Sequence, residues 1–576
     1  MKPRNLAILF SMVLLSASIA EAAWPHDPLI NVPISTVSGE KADVYLTTDS
    51  HNGALIVWED QRAGQADIYM QRLNEEGDPV WTLGGVPVCT ANDHQNLYHS
   101  SDGTCGVTPV ISDGLGGAFV VWQDSRLYSM RQRDIYCQRL GSDGLPLWTT
   151  NGVAIAVGAG NEEQPTMCSD GAGGVIIVWQ DKNNDPIFDD IFAQRISADG
   201  VALWNNGNPL PVSILDWSQA NAALCSDGLY GAFVVFTDNT NDVNDLRAQH
   251  LSADGELLWG NDGVVVVAAN DNQKSPVIIE SEDGNPIVSW RDLRSGNYDI
   301  YAQKLDATTG ASLWNSNGLA LCTAANSQYR PSACTDGHSG VIVSWFDYRT
   351  ATGFPWDLNI FAQRAKADGS IAWQYNGVPV CLAEDAQRDS RLVSDDHGGA
   401  IIAWEDNRQG TGREDIYVQH LNGVGQPNFV LDGRAICIAD GNQERPNLVL
   451  AADGAIVAWT DDRNTLYAPD IYADMVEISI PIAASMPSVP NVDLEAWPNP
   501  FNPQTMITFD LPAETHVEIS IYDLAGNRMI TLLPATTLQE GPHTVPWQPQ
   551  GFAAGVYLVQ LKTPNGIIGR KLTLVP

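Results

Sequence analysis

One arrangement of apolar and polar positions recurs along most of the chain. An apolar run ends in an aromatic residue, and Asp follows two positions later. The aromatics are Trp58, Trp122, Trp179, Phe236, Trp290, Trp345, Trp404 and Trp459, spaced 54 to 64 residues apart. A period of this size indicates a solenoid, a propeller or an array of small domains. Residues 314–364 show the grammar of one unit. Trp314 to Cys322 is a short strand through an Asn-Gly turn, and Pro331 to Cys334 is a second. Asp336-Gly337 is a turn, Val341 to Trp345 a continuous apolar strand, and Ile360 to Arg364 a fourth strand ended by Asp368-Gly369. There are four strands with hairpin turns and no helical period.

The apolar strands, such as Gly116–Trp122 (GGAFVVW), do not alternate, so both of their faces must be covered. A blade sandwiched between two neighbours meets that demand, and an isolated four-stranded sheet does not. The pattern therefore predicts an all-β fold, an eight-bladed β-propeller over residues 23–480. The last unit lacks its short final strand, and Trp24 to Ser35 contains a matching segment. That segment is expected to complete the last blade and remove the free edge.

The polar residues that recur are read as structural. Asp follows every anchor aromatic, and Arg follows two later in six units: Asp60/Arg62, Asp124/Arg126, Asp292/Arg294, Asp347/Arg349, Asp406/Arg408 and Asp461/Arg463. A set present in nearly every blade suits a hydrogen-bonded tie between loops, which an Arg fork can make to two oxygens at once. Asp-Gly-x-x-x-Trp also recurs, at Asp143, Asp199, Asp254 and Asp368. With Ser197 and Ser252 in front, two copies resemble the Asp-box of sialidases, although Gly directly follows Asp here. The resemblance implies a propeller hairpin and no active site. No HExxH, GxSxG or P-loop is present.

Departures from the repeat are the better candidates for chemistry. Units three and four have Asn183 and Thr240 in place of Arg, within the loops DKNNDPIFDD and DNTNDVND. These read as solvated acidic turns. Oxygen-rich loops also suit Ca²⁺, for which Asp181, Asn183, Asp185, Asp238 and Asp242 are the candidate ligands. The longest insertion, Thr90 to Val107, holds Asp93, His94, His99, Asp102 and Cys105, in no closed metal spacing, and reads as an exposed loop. The loop at 350–358 carries Phe354 and Trp356. Such aromatics pack against a neighbouring loop, or stack on sugar rings or a protein partner. They are the candidate ligand-binding residues.

Composition narrows the partners. With 31 Lys+Arg against 69 Asp+Glu, the net charge of −38 excludes nucleic acid. Lys2 and Arg4, an apolar stretch from Leu6 to Ala20, and Ala20-Glu21-Ala22 form a secretory signal peptide over residues 1–22. No second apolar run is long enough to span a bilayer. Nine Cys read mostly as small core residues, with a bridge between Cys322 and Cys334 conceivable across a hairpin; the odd total leaves at least one thiol free or paired outside the chain.

Residues 481–493 are rich in Pro, Ala and Ser and read as a linker. From Trp497, alternating strands over Met506–Leu511, Val517–Asp523, Thr544–Trp547, Val556–Lys562 and Lys571–Val575 indicate a small β-sandwich at 494–576. The motifs WPNPFNP, ISIYDLAGNRM, AGVYLVQL and RKLTLV resemble the C-terminal sorting domain of type IX secretion, close to the Ig-like domain of flagellar hook-capping proteins. That resemblance implies passage across a bacterial outer membrane through its secretion machinery. The repeats before it resemble those of bacterial secreted β-propeller proteins, for which the resemblance implies no defined activity. The expectation is a non-enzymatic extracellular or cell-surface protein that binds a glycan or protein, or acts in adhesion. The alternatives are a glycoside hydrolase or lyase, a purely structural surface component and, more weakly, a quinone-dependent dehydrogenase.

Overall fold

The structure is a computed structural model. It describes residues 24–478 apart from 98–105, 128–132, 159, 183–187, 241–242, 351–356, 411–412 and 466–467. It also describes 494–574 apart from 498–500, 502–503, 512–514, 523–527, 550–551, 553–554 and 564–565. The chain divides into two compact units, Met1–Ile478 and Ser479–Pro576.

The described residues of the first unit form eight antiparallel sheets, numbered here in chain order. Sheet 1 is typical: Lys41–Thr48, Ala54–Asp60, Asp67–Leu73 and Val86–Cys89 lie side by side in chain order. Sheets 3 to 7 repeat this plan, and sheet 2 does so with its first strand in two pieces, Gln95–Asn96 and Val110–Ser112; in each the anchor strand ends at the anchor Asp. Sheet 8 takes Gln443–Ala451, Gly454–Asp461 and Asp470–Glu477 from the end of the unit, and its fourth strand, Val32–Ser35, from the beginning.

The short Asn-Gly strand closes the sheet before it and does not open the next. Leu319–Cys322 pairs with Asp299–Lys304 in sheet 5, whereas Cys334 lies on Gln328–Thr335 in sheet 6. The conceivable Cys322–Cys334 bridge is therefore not formed, and all eight described cysteines are free. In this frame Gly377 has φ 87°, and a Cβ there would come 2.7 Å from the ring of Trp345. Only glycine fits both demands.

The core lies between sheets. One cluster joins Leu55 and Val57 of sheet 1 to Val120 and Trp122 of sheet 2, and another joins Ile342 of sheet 6 to Ile402 and Trp404 of sheet 7. A further cluster joins Ile34, Ile456 and Ala458 of sheet 8 to Ile56 and Trp58 of sheet 1. Second strands such as Ala54–Asp60 are buried at every residue, as a strand covered on both faces must be.

In the second unit, Leu494–Trp497, Thr505–Leu511 and Gly541–Trp547 form one sheet. Arg528–Leu538, Thr515–Tyr522, Gly555–Thr563 and Gly566–Leu574 form the other. Phe509 from the first and Ile519, Val559 and Leu561 from the second share one core.

Candidate functional site

Second strands end, and first and third strands begin, at the same edge of each sheet, because neighbours run antiparallel. The recurring Asp/Arg pair lies there. In sheet 7, Asp406 accepts from Trp404 Nε1 at 2.7 Å, from the Arg408 main-chain N–H at 3.0 Å, and from Arg408 Nε and Nη2 at 2.8 and 2.6 Å. Arg408 Nη2 also donates to Asp432 O at 2.7 Å and reaches Cys381 Sγ of sheet 6 at 3.2 Å. Its guanidinium lies 3.8 Å from the Tyr417 ring centroid. Arg126, Arg349 and Arg463 reach Cys89, Cys322 and Cys437 of the preceding sheet in the same way. Arg62 reaches Ser35, the corresponding residue of the fourth strand of sheet 8, at 3.3 Å.

Sheets 3 and 4 differ. In sheet 4, Arg247 stands opposite Phe236, where sheet 1 has Tyr69 opposite Trp58. Arg247 Nε donates to Asp238 at 2.7 Å, and the Thr240 hydroxyl also bonds this carboxylate. The missing cation is thus resupplied from another strand, which spacing along the sequence does not reveal. In sheet 3, Trp179 Nε1 is buried without a partner.

Beside these repeated groups, three positions per sheet vary. The second residue of the first strand faces the residue after the anchor aromatic: Ala42/Glu59, Asn96/Gln123, Glu163/Gln180, Ala220/Thr237, Lys274/Arg291, Tyr329/Phe346, Arg388/Glu405 and Glu444/Thr460. The next residue bulges out of register. It is left-handed in seven sheets, with φ between 47° and 57° at Asp43, Gln164, Asn221, Ser275, Arg330, Asp389 and Arg445. None is glycine, so each stores about 1 kcal/mol or more of backbone strain, and such strain concentrates at functional sites. In sheet 2 additional residues enter at this bulge, between Gln95–Asn96 and Val110–Ser112.

The variable positions interlock between neighbours. The Gln164, Asn221 and Arg445 N–H groups donate to Gln123 Oε1, Gln180 Oε1 and Glu405 Oε1 of the preceding sheets at 3.1, 2.9 and 2.7 Å. Arg330 pairs with Asp389, and Arg445 with Asp43. Arg388 bonds Glu405 at 3.2 Å and also Glu414. Burial, reinforced by the neighbouring Asp389 and Asp43 charges, pushes Glu405 and Glu59 each up to about 8. On sheets 5 and 6 the half-buried rings of Tyr298, Tyr329, Phe346 and Tyr348 cluster at centroid separations of 5.3 to 6.0 Å. The Arg291 guanidinium lies 4.9 Å from Tyr298 and 5.4 Å from Tyr329. Charged, aromatic and hydrogen-bonding groups thus share one edge of the sheets. The sequence signal for them was the residue directly after each anchor aromatic, which differs from sheet to sheet.

Of the residues singled out by sequence, Phe354, Trp356, Asn183, Asp185 and Asp242 lie outside the described residues, as do His99, Asp102 and Cys105 of the insertion. Asp181 and Asp238 are both buried at strand ends, on sheets 3 and 4. An arginine on Asp238 competes with any cation there. His94 accepts from the Ala66 N–H at 3.2 Å, and Gln95–Asn96 is strand, so the insertion is loop only in part. Among the described residues no three His, Cys, Asp or Glu are grouped to hold a metal.

Comparison with known proteins separates the two units. No curated protein matches the chain. Among solved structures, a puromycin hydrolase mutant complexed with PGG is 15% identical, with TM-score 0.40, over 76% of this chain and 61% of that one. A protein of unknown function from Dyadobacter fermentans DSM 18053 is 10% identical, with TM-score 0.34, over 55% and 94%. An endo-arabinase from Bacteroides thetaiotaomicron VPI-5482 is 11% identical, with TM-score 0.27, over 53% and 90%. The chain thus spans 61% of the length of the puromycin hydrolase, and likeness this slight carries no inference about activity. Among the described residues no helix is long and apolar enough to cross a membrane. Residues 495–574 match the family model of the secretion system C-terminal sorting domain, so the chain carries at its end a type IX address for the cell surface or the extracellular space.

Proposed function

We propose that the exported protein is a non-enzymatic, ligand-binding or adhesion protein whose first unit is a closed eight-bladed β-propeller. Each sheet is one blade, Val32–Ser35 closes the last, and the Asp/Arg pairs are structural ties between blades. Residues 1–22 are the signal peptide, 481–493 the linker and 494–576 an Ig-like sandwich. The observation that carries the binding role is the set of variable positions. The rest of the sheet edge repeats, while these change from sheet to sheet and gather arginines, carboxylates and half-buried aromatic rings. A polar face walled by aromatic rings suits an extracellular glycan or a protein partner. Phe354 and Trp356, which follow the second strand of sheet 6 in the sequence, stay candidate ligand-binding residues.

Native electrophoresis of the full mature chain through gels holding a panel of polysaccharides tests this reading. Retarded migration with the gel left intact is expected. Unchanged mobility across the panel removes the glycan and leaves a protein partner. A second reading, a glycoside hydrolase or lyase, draws on Glu59 and Glu405, because an acid still protonated near neutrality is what a general acid requires. A cleared zone that disappears in Glu405→Gln or Glu59→Gln would establish it.

A further inference from the structure

The first residue of each first strand is fully buried at a junction between sheets. Gln443 N donates to Glu414 O at 2.7 Å, Gln95 N to Ala66 O at 2.8 Å, Gln387 N to Leu358 O at 2.8 Å and Lys41 N to Pro469 O at 3.0 Å. Each therefore lies beside the residue that opens the third strand of the preceding sheet: Asp415, Asp67, Asn359 and Asp470 respectively. The glutamine amides direct their N–H groups at carbonyls of the preceding loop. Gln443 Nε2 donates to Asp440 O at 3.4 Å, and Gln95 Nε2 to Asn92 O and Asp93 O at 3.2 and 3.0 Å. Their Oε1 atoms are buried without a partner, as are Asp67 Oδ1 and both carboxylate oxygens of Asp415. Acceptors buried together with no hydrogen between them pay the full cost of desolvation.

Two junctions show how the deficit is met. Where Lys41 replaces glutamine, its ammonium donates to Val37 O, to Gly39 O at 2.7 Å and to Asp470 Oδ1 at 3.4 Å. Where Asn359 replaces the aspartate, the residue is neutral and its amide is 2.6 Å from Thr350 Oγ1. Exchanging the amide O and N lets the Thr350 hydroxyl donate and frees the amide hydrogens for another acceptor, and Gln387 Oε1 is buried without a partner. In both cases one side of the junction carries a hydrogen.

We propose that Asp415 and Asp67 are held in the folded protein as neutral carboxylic acids, each donating its proton across the sheet junction, to Gln443 Oε1 and Gln95 Oε1 respectively. The charged groups around Asp415 are Arg413, Asp406, Arg408 and Glu414, and those around Asp67 are Asp60, Arg62 and His94 beside the neutral Gln65. Burial outweighs them, pushing Asp415 up to about 7 and raising Asp67 from its ordinary value. A folded-state value above the unfolded one makes the contribution complete in acid and lost as pH rises through the folded value. The junctions therefore tighten in mild acid and loosen in alkali.

Asp415→Asn in the full mature chain tests this. The urea midpoint of the native protein is expected to fall between about pH 5 and about pH 8. In the variant that fall loses about one proton's worth of slope, and the midpoint at the alkaline end exceeds the native one. The infrared carbonyl band of protonated carboxyl groups weakens in step. Gln443→Lys, which copies the Lys41 junction, is the independent second variant. It is expected to weaken the same band and to raise the alkaline midpoint. An Asp415→Asn midpoint lowered equally at both ends overturns the proposal in favour of a charged carboxylate held by water. A native midpoint raised by calcium or magnesium, with the response lost in Asp415→Asn, overturns it in favour of a bound cation.

Discussion

Sheet 4 offers a test of whether the Asp/Arg pair is a module that can be supplied from either strand. Arg247→Tyr restores the aromatic found at that place in sheets 1, 2, 5, 7 and 8 but removes the cation from Asp238. Breaking a buried pair costs about 3–5 kcal/mol. The Arg247 side chain is 23% exposed and Asp238 keeps the Thr240 N–H and hydroxyl, so the loss should fall at or just below that range, roughly 2–3 kcal/mol. Adding Thr240→Arg places a guanidinium where six other sheets carry one, over the new tyrosine. The double variant should recover all but about 1 kcal/mol, because Phe236 has no indole N–H to donate to Asp238. Urea unfolding followed by tryptophan fluorescence, arranged as a double-mutant cycle, measures the coupling. A double variant no more stable than Arg247→Tyr alone would refute the reasoning.

Three further outcomes are expected. Trp404→Phe should cost roughly 1 kcal/mol more than Trp179→Phe, because Trp404 Nε1 donates to Asp406 while Trp179 Nε1 donates to nothing, and paired urea midpoints check this. Glu405 is raised to about 8 chiefly by burial, against roughly 4.3 when unfolded. Its contribution to stability is complete below the unfolded value and is lost as pH rises through the folded one. Glu405→Gln should therefore flatten the decline in stability from mild acid to mild alkali. Burial pushes the thiols of Cys89, Cys322, Cys381 and Cys437 up to about 12. Iodoacetamide at mildly alkaline pH should label none of these four in the folded protein and all of them in urea, and a reductant should leave the urea midpoint unmoved.

Features written in local order were legible in the sequence. The anchor aromatics, the Asp two places on and the missing last strand are all visible as spacing, and each has its counterpart in the sheets. The framing of the sheets was not. A short strand between two turns reads the same whether it ends one sheet or begins the next, and only the pairing of Ile300 with Cys322 decides it. The bulges were invisible because Ser275, Arg330 and Arg445 carry no local signature of a left-handed backbone; register across two strands imposes it. Arg247 was overlooked for the complementary reason, since a side chain from the third strand filled a gap that sequence spacing showed only on the second. In the second unit, Arg528–Leu538 pairs with Thr515–Tyr522 through three register shifts, which blur the alternation that marks a strand.

The clasp between Val32–Ser35 and Asp470–Glu477 bears on the order of events during export. Asn31 and Asp474, which bond at 3.0 Å, stand 443 positions apart. Val32–Ser35, made first among the described strands, is therefore among the last to find its partner. Until Asp470–Glu477 has emerged, Val32–Ser35 has nothing to pair with, and closing so long a loop is slow. Sheets 1 to 7 each draw on strands that follow one another in the chain, so sheet 8 alone waits for this pairing. The sorting address, at 495–574, is made only after the strand that completes sheet 8.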